Sequence, residues 1–273
     1  MRLCWLSDVH LNFLPETGAK YFGEYLVEEH EFDAVVISGD IAEAHDFDVE
    51  LQQFFEGVKL PTYFTLGNHD YYHGSFQSVR EKARVLSTEN LVWLDEAEPV
   101  QLSKTTALTG HQGWYDGVLG KAKKSMVYLS DFDLIHDFAP WRLRETWHDR
   151  ETKNRFLGVL RDLGKEAADQ ARANIIKAFG MGDTVVFATH VPPFKGACWH
   201  EGEISDSRWL PWFTCDAMGK MLVELAVKNQ DKDILVLCGH THGSGVYKPL
   251  PNLKVLAGAA VYGAPDISGI IDV

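Results

Sequence analysis

Cysteine is scarce in this chain, with four among 273 residues, too few for a disulfide framework. Cys4 and Cys238 fall inside apolar runs and read as small core hydrophobes, and Cys198 and Cys215 lack the close pairing of a zinc knuckle. Long hydrophobic runs are missing too. None approaches the roughly 20 apolar residues that cross a bilayer, and the apolar start at residues 1–6 is broken by Asp8 and His10, short of a signal-peptide core. A soluble cytoplasmic protein without a membrane partner is expected. Basic residues are outnumbered: 26 Lys and Arg against 39 Asp and Glu leave a net charge of -13, which repels polyphosphate backbones and disfavours a nucleic-acid coat. Repeats, low-complexity tracts and Gly/Ser linkers are absent, so one domain over residues 1–273 is the economical reading.

Short β-rich runs recur at residues 3–6, 34–38, 62–66, 91–94, 105–109, 184–188, 234–238 and 254–256, nearly all bounded by Gly, Asp or Pro. Helix-length segments with apolar residues at three and four spacing lie between several of them, at 16–30, 46–57, 75–88 and 216–229. This alternation predicts an α/β fold with a largely buried sheet. Residues 114–180 depart from the rhythm and read as an insertion, with one long or two short helices at 151–179. Residues 191–211 carry three prolines, Trp199, Trp209 and His200, a loop composition that can wall a site.

The acidic and imidazole residues sit where the apolar runs end. The first runs into Asp8 and His10, the second into Asp40, the third into Asn68, His69 and Asp70, a later one into His190, and the last long one into His240 and His242. Open α/β sheets bind ligands outside the carboxyl ends of their strands, so these ends can converge although distant in sequence. Two Asp, one Asn and four His offer only oxygen and nitrogen donors, suited to Mn, Fe, Zn or a mixed pair. Seven donors are too many for one catalytic ion with an open position and about right for two ions sharing a carboxylate. Asp8 and His10, two apart, point to the same side if the segment is extended, as do His240 and His242. His30, His45, His73, His111, His136, His148 and His200 have no such partners and read as structural or surface residues.

The ordered set Asp-x-His, Gly-Asp, Gly-Asn-His-Asp, His and Gly-His-x-His, running from Asp8 to His242, resembles the signature of the calcineurin-like metallophosphoesterases. The resemblance implies a four-layer α-β-β-α sandwich with two stacked mixed β-sheets. It implies two divalent transition-metal ions (Mn, Fe or Zn), one held by Asp8, His10, Asp40 and His242, the other by Asp40, Asn68, His190 and His240. It further implies a metal-bridging hydroxide as nucleophile and His69 as general acid, with Asp70 orienting the His69 ring or raising its pKa.

The motifs also depart from several branches of that family. No Asp-Arg-Gly follows Gly39-Asp40, which sets the chain apart from protein Ser/Thr phosphatases. Glu43 stands where purple acid phosphatases place a tyrosine, and about thirty residues after His242 leave little room for the DNA-capping domain of repair nucleases. His69 differs from the arginine of similar lipid-precursor hydrolases. A small-molecule phosphoester is the expected substrate and long duplex nucleic acid is not. A phosphodiester is favoured, a phosphomonoester is the alternative, and a non-catalytic scaffold or a mononuclear amide or ester hydrolase fits less well. Trp114, Trp199 and Trp209, with Lys195 and Arg208, are candidate walls and cations, and no substrate-binding residue is assigned.

Overall fold

The computed structural model describes residues 1–273. In chain order the strands are β1 (Arg2–Leu6), β2 (Ala34–Ser38), β3 (Thr62–Thr65), β4 (Leu91–Trp93), β5 (Val100–Gln101), β6 (Thr106–Gly110), β7 (Thr184–Ala188), β8 (Trp199–His200), β9 (Glu203–Ile204), β10 (Asp233–Cys238), β11 (Gly245–Leu250), β12 (Leu253–Ala257) and β13 (Gly269–Asp272). The α-helices are α1 (Gly18–Glu29), α2 (Phe47–Val58), α3 (Phe76–Leu86), α4 (Asp131–Leu134), α5 (Leu143–Thr146), α6 (Arg150–Phe179), α7 (Leu210–Phe213) and α8 (Asp216–Lys228). No helix is long and apolar enough to cross a membrane.

Two mixed sheets carry the fold. One has the order β13-β1-β2-β3-β4, parallel except for β13, and the other the order β11-β12-β10-β7-β6-β5, parallel in its middle four strands and antiparallel at both edges. The period of two along β1 sorts its side chains. Leu3 and Trp5 join Val36, Leu108, Val186 and Leu237 in an apolar layer between the sheets. Cys4 and Leu6 face the other way, into the larger core shared with the helices. This is the four-layer sandwich that the family resemblance implied. All four cysteines are free and buried, and desolvation pushes the Cys4 thiol up to about 12, in keeping with a packing role.

Each apolar run expected as a strand forms one, and residues 150–179 form one continuous helix. Edge strands β11 and β13 escaped the sequence reading because each pairs through its backbone with an already legible neighbour. The expected insertion divides in two. Helix α6 packs on β6 and β7, which are parallel neighbours and therefore need a crossover connection, so it belongs to the outer layer. Its N-terminus is capped by Asp149, whose side chain accepts the Thr152 amide at 2.8 Å. Residues 111–149 instead fold over the carboxyl ends of the strands, pinned by edge-to-face contacts of Trp114 with Phe76 and of Phe132 with Phe156 and Trp212.

Candidate metal centre

The carboxyl ends of β1, β2 and β3 in one sheet and of β7 and β10 in the other meet at one edge of the sandwich. Backbone bonds tie four of the ends in pairs: the Asp8 amide donates to Gly39 O at 3.2 Å, the His10 amide to Asp40 O at 3.0 Å, and the Gly239 amide to His190 O at 3.0 Å. The two sheets are joined by the His240 amide, which donates to Asp8 Oδ1 at 2.8 Å. The expected extended geometry at Asp8, His10, His240 and His242 is not what forms. Their φ angles are 50°, 43°, 71° and 55°, and that of Asp40 is 52°. Side chains leave sharp left-handed turns, a conformation that costs non-glycine residues about 1–2 kcal/mol each. Gly39 also has a positive φ, of 89°, and a Cβ there would lie 2.6 Å from His190 Nδ1. Gly39→Ala is therefore expected to destabilise the protein by about 2–4 kcal/mol through backbone strain and overpacking, read as a lower midpoint in urea unfolding.

Asp8, His10, Asp40 and His242 offer donor atoms that all lie within 4.8 Å of one another. His10 Nε2 is 3.3 Å from His242 Nε2 and 3.8 Å from Asp40 Oδ2, and His242 Nε2 is 3.5 Å from Asp8 Oδ1. Burial, reinforced by the neighbouring imidazoles of His69, His242 and His190, drives the His10 pKa far down, so its ring is neutral. Burial, together with the charges of Asp8 and Asp70, holds the Asp40 carboxyl well above the usual carboxylate range. These are groups in want of a positive charge.

The second donor set makes that want explicit. His190 Nδ1 lies 3.0 Å from Ser38 O, and His240 Nε2 lies 3.0 Å from Trp212 O. A carbonyl only accepts, so those nitrogens carry the protons and the opposite nitrogens present bare lone pairs. Both lone pairs point at one atom, Asn68 Oδ1, at 3.0 Å from His190 Nε2 and 2.9 Å from His240 Nδ1. His190 Nε2 is also 3.3 Å from Asp40 Oδ1. Burial, then the charge of His190, lowers His240 to about 4, and His190 is likewise lowered by burial, so neither ring supplies a second proton at neutral pH. Oxygen and nitrogen lone pairs facing one another at hydrogen-bond distance, with no proton between them, fit a divalent cation and little else. Asp40 is the one side chain that reaches both sets.

His69 follows Asn68 at the open side of this cluster. Its amide donates to Asp40 Oδ1 at 2.9 Å, and its Nε2 lies 3.5 Å from the Tyr262 hydroxyl. Burial first, then the charges of His190, His242 and His240, push its pKa down to about 3. The expectation that Asp70 orients this ring is corrected by the structure. The Asp70 carboxylate accepts the amides of Ile41, Ala42 and Gly67 at 2.8, 2.9 and 2.7 Å, so its oxygens are committed to locking the β2 and β3 loops together. Burial outweighs those bonds and raises it to about 7.

Of the candidate walls, Trp114 is 3% exposed and belongs to the core. Trp209 is exposed and stacks on Phe213 beside an open cavity of about 700 Å³, and Phe213 meets the His240 ring edge-on at 5.2 Å. Arg208 is bound to Asp206, and Lys195 points into solvent. His111 bonds Gln170 at 2.8 Å, away from the cluster. The aromatic rim of the site is made by residues the sequence did not signal. Tyr262, 47% exposed, lies over His10 at 4.4 Å, and Phe13, 49% exposed, packs on Tyr262 at 4.9 Å. Neither belongs to a strand-end motif.

The family model for calcineurin-like phosphoesterase matches residues 1–244. No curated protein matches the chain. Among solved structures, a phosphopantetheinyl hydrolase from Mycobacterium tuberculosis superposes with a TM-score of 0.65 at 16% identity, covering 96% of this chain and 89% of that one. A dimetal phosphatase from Danio rerio superposes with a TM-score of 0.58 at 12% identity, covering 97% of this chain and 89% of that one. At these identities the likeness speaks for the fold.

Proposed function

Because the chain belongs to the calcineurin-like phosphoesterase family and is thereby a metal-dependent phosphoester hydrolase, we propose that its two donor sets hold two divalent ions and that it cleaves small, nucleotide-like phosphodiesters. Asp8, His10, Asp40 and His242 would hold one ion, Asp40, Asn68, His190 and His240 the other, with Asp40 between them. The observation that carries this reading is the meeting of the His190 and His240 lone pairs on Asn68 Oδ1. The solved dimetal phosphatase of the same fold supports the count of two. Bound ions of the Mn, Fe or Zn kind would supply Lewis-acid charge for the phosphoryl oxygens and favour ionisation of water at neutral pH.

The chain's own residues do the rest. His69 Nε2 faces the mouth, where the leaving oxygen of a phosphoester seated on the cluster would lie. A neutral imidazole is a poor acid, and an anionic phosphoester beside it favours the protonated ring, so substrate binding itself readies His69 to give that proton to the leaving oxygen. The preference for a diester rests on the rim. A monoester dianion calls for added cationic side chains, whereas Arg208 is engaged by Asp206 and the rim offers Phe13 and Tyr262, an apolar wall for a second ester group.

The test is the turnover of the Mn-loaded full chain on bis-p-nitrophenyl phosphate and on p-nitrophenyl phosphate, with Asp40→Ala as the control for contaminating activity. Faster cleavage of the diester, abolished in the variant, is expected. Faster cleavage of the monoester would transfer the assignment to a small-molecule phosphatase, and cleavage of neither by metal-loaded protein would overturn the catalytic reading.

A further inference from the structure

Asn68 is an ambivalent ligand. Only its oxygen can bind a cation, and its NH2 would repel one. In a site lined by two imidazole lone pairs the amide would, left to itself, turn its NH2 inward and donate to both. The structure shows the opposite orientation, and the reason lies 63 residues away in the segment that folds over the strand ends. Asn68 Nδ2 donates to Asp131 Oδ1 at 3.1 Å. The same carboxylate accepts the Tyr72 hydroxyl at 2.7 Å and the Tyr115 hydroxyl at 2.8 Å. Asp131 is 1% exposed, and its position is set by its neighbour Phe132, which is wedged against Trp147, Phe156 and Trp212 at 4.9, 5.2 and 5.6 Å.

We infer that Asp131 is a positioning residue that selects which end of the Asn68 amide faces the metal centre, and so decides whether the Asn68, His190 and His240 site accepts a divalent cation. A carboxylate can only accept, so the end of Asn68 turned toward it must be the NH2, and the oxygen is thereby presented to the imidazoles. Tyr115 holds the other carboxylate oxygen, and Tyr72 donates to the same Oδ1 that Asn68 uses, its hydroxyl 3.5 Å from Asn68 Nδ2. The segment between β6 and α6 thus supplies the outer partner of one ion site without touching the ion. The inference rests on the two-ion reading above, and its test separates the two.

The experiment is calorimetric titration of the EDTA-stripped full chain with Mn(II), with bound metal counted by elemental analysis. Wild type is expected to take two ions per chain. Asp131→Leu is expected to keep the first at wild-type affinity and to bind the second about 10–100-fold more weakly, the usual cost of losing the partner of a ligand. Adding Asn68→Asp to Asp131→Leu is expected to restore the second ion, because both ends of a carboxylate are oxygens and no orientation needs selecting. A purely structural role for Asp131 would give no such rescue. If Asp131→Leu fails to fold by circular dichroism, Asp131→Asn replaces it. That side chain can turn either end toward Asn68, so the same selective weakening, smaller and again reversed by Asn68→Asp, is expected. Two equally tight ions in the folded Asp131 variant, or a weakening that Asn68→Asp leaves in place, overturns the inference. Fewer than two ions on wild type would instead bring down the two-ion reading and this inference with it.

Discussion

His69→Asn is expected to lower kcat on a phosphodiester with an alkoxide leaving group by about 10²–10⁴-fold, the usual contribution of a positioned proton donor, while metal content stays at the wild-type level. The separation is possible because His69 serves the site in two independent ways. Its backbone amide holds Asp40 Oδ1 at 2.9 Å, and any side chain leaves that bond in place. Its ring stands at the mouth with Nε2 toward Tyr262, and asparagine keeps part of the volume without a titrating proton. The fall should be smaller for p-nitrophenyl esters, since a leaving group stable as an anion needs little help from an acid. Rates on both ester types, with metal analysis of the same samples, check this. Equal losses on the two leaving groups would remove His69 from the proton-donating role, and unchanged activity would do so outright.

Asp40→Asn should abolish turnover and reverse an order of stability. Asp40 Oδ1 lies 3.3 Å from His190 Nε2, and its Oδ2 lies 3.8 Å from His10 Nε2, so an amide there withdraws charge from both donor sets and offers them an NH2. Metal content is expected to fall from two ions per chain to fewer than one. In the stripped protein the buried Asp40 carboxyl is disfavoured by desolvation and by Asp8 and Asp70, so the neutral variant should melt at a higher temperature than wild type in EDTA. With Mn(II) at 100 times its Kd, wild type gains about 2.7 kcal/mol per ion from linkage and the variant does not, so the order inverts. Scanning calorimetry of both proteins under both conditions reads the crossing. A variant that melts lower than wild type in EDTA would show that the metal-free cluster carries no electrostatic stress.

The route from chain to site was legible wherever a local rule decides the outcome. The central strands are short apolar runs with sharp boundaries, and a polar residue just past a boundary must emerge at the carboxyl edge of a parallel sheet. Hence Asp8, Asp40, Asn68, His190 and His240 could be gathered on paper across 233 residues of chain. Asp70 was misjudged because its partners are the amides of Ile41, Ala42 and Gly67, and backbone donors look alike in every sequence. The turn at Asp8 and His10 was misjudged because left-handed backbone at a non-glycine residue is imposed by the surrounding packing.

Apolar runs and the residues at their ends were thus sufficient for an α/β fold and for the oxygen and nitrogen donor set at its strand ends, because each follows from the period of a strand and the chemistry of one side chain, while the sandwich and the part given to His69 came with the family resemblance of the ordered motifs. The tertiary structure alone decided which lone pairs meet on Asn68 Oδ1, that Asp131 turns the amide, and that Phe13 and Tyr262 form the rim. Those are contacts between segments whose only common property is where the fold puts them. A buried carboxylate in a one-turn helix and a tyrosine near the C-terminus carry no local pattern, and their meaning lies entirely in the neighbours that packing supplies.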